Sequence, residues 1–278
     1  MKIGQVNPNG YLTRLARAAM IRELEKVNIR RSLAILQTRI AEHFRESASN
    51  ASEVTRHFTF GSFTRGTMLP RNMDSLSDVD YLILFANSNL KPQSCLSRLR
   101  RFVEKYYREG SEIKQSHPTL ILSLNHIRFE LVPAIETSWN GIQIPTKASL
   151  FSDWMPTNPN EFNAVLTEKN QGNEDLIKPL IRITKYWNAL NDYPFESYTL
   201  EQRIVAHWKL VTVFSGATLW RRFRDFINDL DPNNTSTNRG RQAIVRAQAI
   251  IGKARQLESG GDPEVAERIL QSLLPALR

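Results

Sequence analysis

At 278 residues, with 41% hydrophobic residues, the chain is long enough to bury a full core and sits near the size where one core gives way to two. No apolar run approaches the ~20 residues of a bilayer-spanning helix, which excludes a helical membrane protein, and a single cysteine, Cys95, excludes an internal disulfide and a Cys-rich zinc centre. The net charge of +9 favours partners that carry phosphate, nucleotide or nucleic acid, without choosing between them.

The first twenty residues hold no signal-peptide core and no small-residue cleavage site, so a cytoplasmic protein is expected. Residues 11–47 read as one long helix spanning both lobes of a two-lobed protein. Leu12, Leu15, Ala19, Leu24, Val27, Leu33, Leu36, Ile40 and Phe44 recur there at roughly helical spacing. From 54 to 146 the pattern changes to short runs rich in β-branched and aromatic residues: VTRHFTF, VDYLILF, TLILSLN, IRFELVPAI and GIQIP. An amphipathic helix, SCLSRLRRFVEKYYREG, lies between the second and third. FSDWMPTNPNEF, residues 151–162, reads as a hinge. Beyond it only helical patterns remain, among them NEDLIKPLIRITKYWNAL and SYTLEQRIVAHWKLVTVF, with two arginine-bearing helices to close the chain. The expected fold class is α+β: a mixed-sheet lobe over 1–155 and an all-helical lobe over 156–278.

The segment GSFTRGTMLPRNMDSLSDVDYLILF, residues 61–85, raises a chemical question. Residues i and i+2 of a strand share a face, so Asp78 and Asp80 project together. In HIRFELVPAIE, Arg128 and Glu130 share a face by the same rule. If the two strands are neighbours, three carboxylates converge at a sheet edge, where they repel one another and are costly to desolvate. Two Mg²⁺ ions would neutralise that repulsion. Alone, a DxD pair is usually a turn before a strand. Gly61 and Ser62 change the balance, because FTFGSFTRGT reads as strand, tight turn and helix start, aiming backbone N–H groups and the Ser62 hydroxyl at an anion. Thr67 stands where a Walker A loop would need lysine, and there is neither an HExxH nor a GxSxG motif. A phosphate cradle beside a two-metal carboxylate site implies nucleotidyl transfer.

These elements resemble the polymerase-β-like nucleotidyltransferase superfamily. The run GSFTRGT, DVD, FELVPA, LIRITKYWN and SYTLE is similar to the CD-NTase family, relatives of cyclic GMP-AMP synthase and oligoadenylate synthase. The resemblance extends from about residue 55 to the end of the chain. It implies that Asp78, Asp80 and Glu130 hold the metals, Mg²⁺ with Mn²⁺ as a possible substitute. It also implies that Ser62, Lys185 and Ser197 hold the donor triphosphate, beside Gly61, and that Tyr198 stacks on the donor base. Two departures stand out. The third acid is glutamate where many relatives carry aspartate, and a lone cysteine cannot build the zinc-bearing insertion by which the animal enzyme senses duplex DNA.

The implied function is a cytoplasmic enzyme, with no membrane partner, that uses Mg²⁺ to join nucleoside triphosphates into a cyclic or short linear oligonucleotide. In bacteria such products are second messengers of anti-phage defence, and a regulatory protein or nucleic-acid activator is compatible with that role. The alternatives are a template-independent enzyme acting on RNA 3′ ends, and a catalytically inactive relative that binds nucleotide or RNA. The scattered arginines, with no basic stripe, favour the enzyme that joins nucleoside triphosphates over the one that acts on RNA ends.

Overall fold

Asn7 starts the first helix. Its side chain accepts a hydrogen bond from the Gly10 N–H at 2.8 Å, and Pro8 follows in the first turn, where a missing N–H costs nothing. The computed structural model describes residues 6–46, 53–108, 111–116, 118–139, 141–146, 153–208 and 217–276. The predicted long N-terminal helix is two helices, α1 (Pro8–Ala18) and α2 (Glu23–Glu46). At ~100° per residue, the apolar stripe of α1, ending at Ala19, is out of phase by roughly 80° with the stripe of α2 that begins at Ile29. One straight helix could not bury both. Leu24 and Val27, counted in the sequence stripe, are instead 75% and 47% exposed.

After α2 come β1 (Val54–Phe60), α3 (Gly61–Arg65), β2 (Val79–Phe85), α4 (Pro92–Tyr107), β3 (Glu112–Ser116), β4 (Thr119–Ser123), β5 (Arg128–Thr137), β6 (Gly141–Pro145) and β7 (Trp154–Pro156). The helices α5 (Glu161–Gln171), α6 (Ile177–Leu190), α7 (Ser197–His207), α8 (Leu219–Asn228), α9 (Asn238–Ser259) and α10 (Pro263–Gln271) complete the order. The mixed sheet followed by helices is the α+β class that the sequence implies. Of the expected hinge, residues 151 and 152 lie outside the described residues, and the remainder carries β7 and the start of α5. Parts of the expected helices, at 47, 109–110, 209–214 and 277, also lie outside them.

The described chain groups into two compact units, one of residues 22–65 and 76–163, the other of residues 1–21, 66–75 and 164–278. The first contains the sheet, in the order β1-β2-β5-β4-β3, with β6 on β5 and β7 on β6. Only β2 and β5 run parallel among the described pairs, and their register sets Asp80 opposite Glu130. Val79, Tyr81, Ile83 and Phe85 line one face of β2 and are fully buried. Phe44 of α2 meets Phe85 edge-on at 5.7 Å and Phe102 of α4 at 5.9 Å, which closes that face. On the opposite face Leu82, Leu84 and Ala134 form a buried cluster against Phe58, Phe60, Ile142 and Ile144. Asp80 therefore stands two residues from a dry floor.

In the second unit α6 is central. Leu180, Ile181, Ile183 and Trp187 are fully buried, and the helix packs against α1, α7 and α8. The Tyr11 hydroxyl donates to the Leu274 carbonyl and the Tyr186 hydroxyl to the Pro275 carbonyl, which ties the residues after α10 to α1 and α6. Among the described residues no helix is long and apolar enough to cross a membrane.

The cluster beneath Asp80 carries a measurable share of stability. Leu82→Ala removes a fully buried side chain from a packed sheet face. It should cost about 2–5 kcal/mol in urea unfolding, because the rigid surroundings collapse only partly into the void.

Candidate active site

The central parallel pair brings the acids together. Asp78 immediately precedes β2, Asp80 is its second residue, and Glu130 sits across the register on β5. One carboxylate oxygen from each lies within 4.8 Å of the others, and all three side chains are half-buried. The Thr119 hydroxyl, at the start of β4, donates to Glu130 Oε1 at 2.6 Å and fixes the orientation of that longer acid. Arg128, on the face of Glu130, brings a guanidinium nitrogen to 3.8 Å from Asp78 Oδ2.

Gly61 stands against the acids. Phe60 pairs with Asp80 across β1 and β2, so the residue after it turns directly against that aspartate. Its φ is +74°, and a Cβ built there would lie 1.7 Å from Asp80 Oδ2. Only a residue without a side chain admits both the left-handed backbone and this approach. Ser62 follows as the second residue of α3, half-buried, so the predicted strand, turn and helix start are all present.

The electrostatics fit a cation. The Asp78 carboxyl is pushed up to about 8, first by burial, then by the charges of Asp80 and Glu130, against a smaller opposing pull from Arg128. A carboxyl pushed up by burial and by two crowding acids marks a place short of positive charge. Three oxygen donors of this kind suit a hard divalent ion.

The remaining predicted residues belong to the helical unit. Lys185 lies in α6, while Ser197 and Tyr198 open α7, with Ser197 half-buried and Tyr198 48% exposed. Lys185 is itself buried, and its Nζ is 3.3 Å from Glu201 Oε1. Sequence reasoning passed over Glu201, although it sits inside SYTLE, and Thr119, for which no local signal exists. It noticed the face of Arg128 and gave that residue no role.

The family model for the Second Messenger Oligonucleotide or Dinucleotide Synthetase domain matches residues 7–170, more than half of the chain. A probable cyclic nucleotide synthase of Bacillus cereus is 30% identical over 112 residues, 38% of this chain and 33% of its own length. The CCA-adding enzyme of Pyrobaculum islandicum is 24% identical over 169 residues, 60% of this chain and 38% of its own. The chain thus spans 33% and 38% of the lengths of these two curated relatives. In structure it is similar to the Vibrio cholerae DncV cyclic AMP-GMP synthase in complex with the linear intermediate 5′ pppA(3′,5′)pG. That likeness has a TM-score of 0.72 and 11% identity, and covers 97% of this chain and 95% of that one.

Two outcomes test the geometry. Without divalent cations, the folded Asp78 carboxyl holds its proton to about pH 8, whereas an unfolded one releases it near the ordinary 3.8. The folded state therefore binds more protons across that window, and stability should fall as pH rises through it. Asp78→Asn should remove this decline, read as a gain in melting temperature over the parent that is larger at pH 8 than at pH 5. Gly61→Ala should destabilise the protein by at least the ~1–2 kcal/mol of a left-handed alanine. It should also abolish any divalent-dependent rise in melting temperature, since the new methyl displaces Asp80.

Proposed function

This chain belongs to the Second Messenger Oligonucleotide or Dinucleotide Synthetase family, and from that premise we propose a nucleotidyltransferase that joins nucleoside triphosphates into a cyclic di- or trinucleotide, or a short linear oligonucleotide. The observation that carries the proposal is the meeting of Asp78, Asp80 and Glu130 against a side-chain-free Gly61, because a second-messenger synthase needs a metal-ready carboxylate set beside a phosphate turn.

Asp78, Asp80 and Glu130 would hold Mg²⁺, or Mn²⁺ in its place. When bound, the ions supply positive charge to the transferring phosphate and to the acceptor hydroxyl. The chain's own residues position the reactants. Thr119 orients Glu130, and Arg128 offsets the repulsion among the acids before metal arrives. The turn at Gly61 and Ser62 receives a phosphate on backbone N–H groups and a hydroxyl. Lys185 and Ser197 take the donor triphosphate, and the exposed Tyr198 ring takes the donor base by stacking. ATP and GTP are the substrates of choice, since a linear pppApG occupies the similar DncV structure. The functional division into a catalytic lobe, 1–155, and a nucleotide-binding lobe, 156–278, belongs to the same proposal. So do a cytoplasmic setting, an anti-phage signalling role, and control by a regulatory protein or nucleic-acid activator.

A second reading rests on the similarity to a CCA-adding enzyme, which would make an RNA 3′ end the acceptor. Incubating the purified protein with labelled ATP and GTP and Mg²⁺ or Mn²⁺, without RNA, separates the two. Small phosphatase-resistant products are expected, and they should disappear in the Asp78→Ala, Asp80→Ala double variant. Extension of added RNA with no RNA-independent product would favour the second reading, and undiminished turnover in the double variant would sink the mechanism.

A further inference from the structure

The helical unit contains a buried polar cluster of which the proposed chemistry uses only Lys185. Glu201 Oε1 accepts from the Thr67 hydroxyl at 2.8 Å and from Lys185 Nζ at 3.3 Å. Thr67 and Glu201 are 0% exposed, and Lys185 is 6% exposed. A glutamate so enclosed is rare unless paired. Stability does not account for it, because a buried ion pair gains little over apolar side chains of the same volume. It also joins segments distant in sequence, since Thr67 lies 134 residues from Glu201.

The chemistry of lysine gives the cluster a purpose. An ammonium is a compact point charge on a flexible stem of four carbons, and it carries three donors without a fixed direction. Left alone on α6 it would turn toward whatever solvent it could reach. A carboxylate on α7 stops that motion, and a threonine hydroxyl bonded to the same oxygen stops the carboxylate from turning in its place. The backbone nearby is held as well, because Arg182, one turn before Lys185, donates to the Gly66 carbonyl at 3.0 Å.

We propose that Glu201, oriented by Thr67, is a positioning residue that holds the Lys185 ammonium in place for the donor triphosphate. The proposal rests on the triphosphate role of Lys185 advanced above. Glu201 itself touches no phosphate. Its negative charge would oppose one, so its net effect on binding has to come through the lysine.

The test uses the full chain with Mg²⁺ and inorganic tripolyphosphate as the probe, which isolates the phosphate limb from the base. Titration calorimetry compares the parent with Glu201→Gln, Thr67→Val, Lys185→Ala and the two double variants that include Lys185→Ala. Glu201→Gln should weaken tripolyphosphate binding about tenfold or more, and the isosteric Thr67→Val about two- to fivefold. Neither should weaken binding further once Lys185 is alanine, since the cycle closes without a remaining pathway. In steady-state assays with ATP, KM should rise more than kcat falls. If Lys185→Ala binds tripolyphosphate like the parent, the role of Lys185 fails and the proposal with it. If Lys185→Ala is weakened while the other two variants bind like the parent, bind more tightly, or add fully to it, the role of Glu201 alone fails. Should Glu201→Gln not fold, Thr67→Val decides by the same cycle.

Discussion

Three carboxylates held within 4.8 Å of one another are the constraint to which the strand-rich unit is fitted. Their repulsion must be overcome by rigid structure before any cation is present. The rigidity comes from the parallel pairing of β2 and β5, which fixes Asp80 opposite Glu130 through backbone hydrogen bonds alone. Antiparallel neighbours on either side, β1 and β4, then supply what the acids need: a glycine turn that lets Asp80 stand close, and a threonine that orients Glu130. Helices α2 and α4 close the face of the sheet opposite the acids.

The same repulsion leaves its mark on the acids themselves. Burial and the neighbouring acids push the Asp78 carboxyl up, and Arg128, a cation from the same sheet face, pulls weakly the other way. The guanidinium is at a distance that gives only part of a full ion pair, and its Nε is buried without a hydrogen-bond partner. The crowding of the acids therefore costs energy, which a bound cation would relieve.

The connection between the glycine turn and the aspartates is a second organising feature. Residues 66–75 group with the helical unit, although the residues on both sides of them group with the strands. Three bonds hold them there: Arg182 to the Gly66 carbonyl, Thr67 to Glu201, and the Tyr193 hydroxyl to Asp74. Each uses a buried partner, so the segment is fixed by polar contacts of high local strength as well as by Met68, Leu69 and Met73 in the core. The chain thus leaves the strand unit right after the glycine turn and returns just before Asp78.

The acids, the glycine turn and the strands were legible in the sequence because each leaves a local imprint. β1, β2 and β6 coincide with apolar runs bounded by turn formers, and a period of two puts Asp78 and Asp80 on one side without further information. The polar edge strand β3, EIKQS, and the three-residue β7 leave no such imprint, since an exposed edge asks for no apolar alternation. The N-terminal helix misled for a related reason. Periodicity counts apolar residues but does not say which core each faces, and the stripe that seemed continuous changes phase between Ala19 and Ile29. By itself the sequence determined which acids share a strand face, that a glycine turn precedes them, and in which elements they lie. Only the tertiary structure decided that β2 and β5 are parallel neighbours, that Asp80 presses on Gly61, and that Lys185 is paired with Glu201. Those contacts depend on register and on chain segments brought together by packing, which no spacing along the sequence encodes.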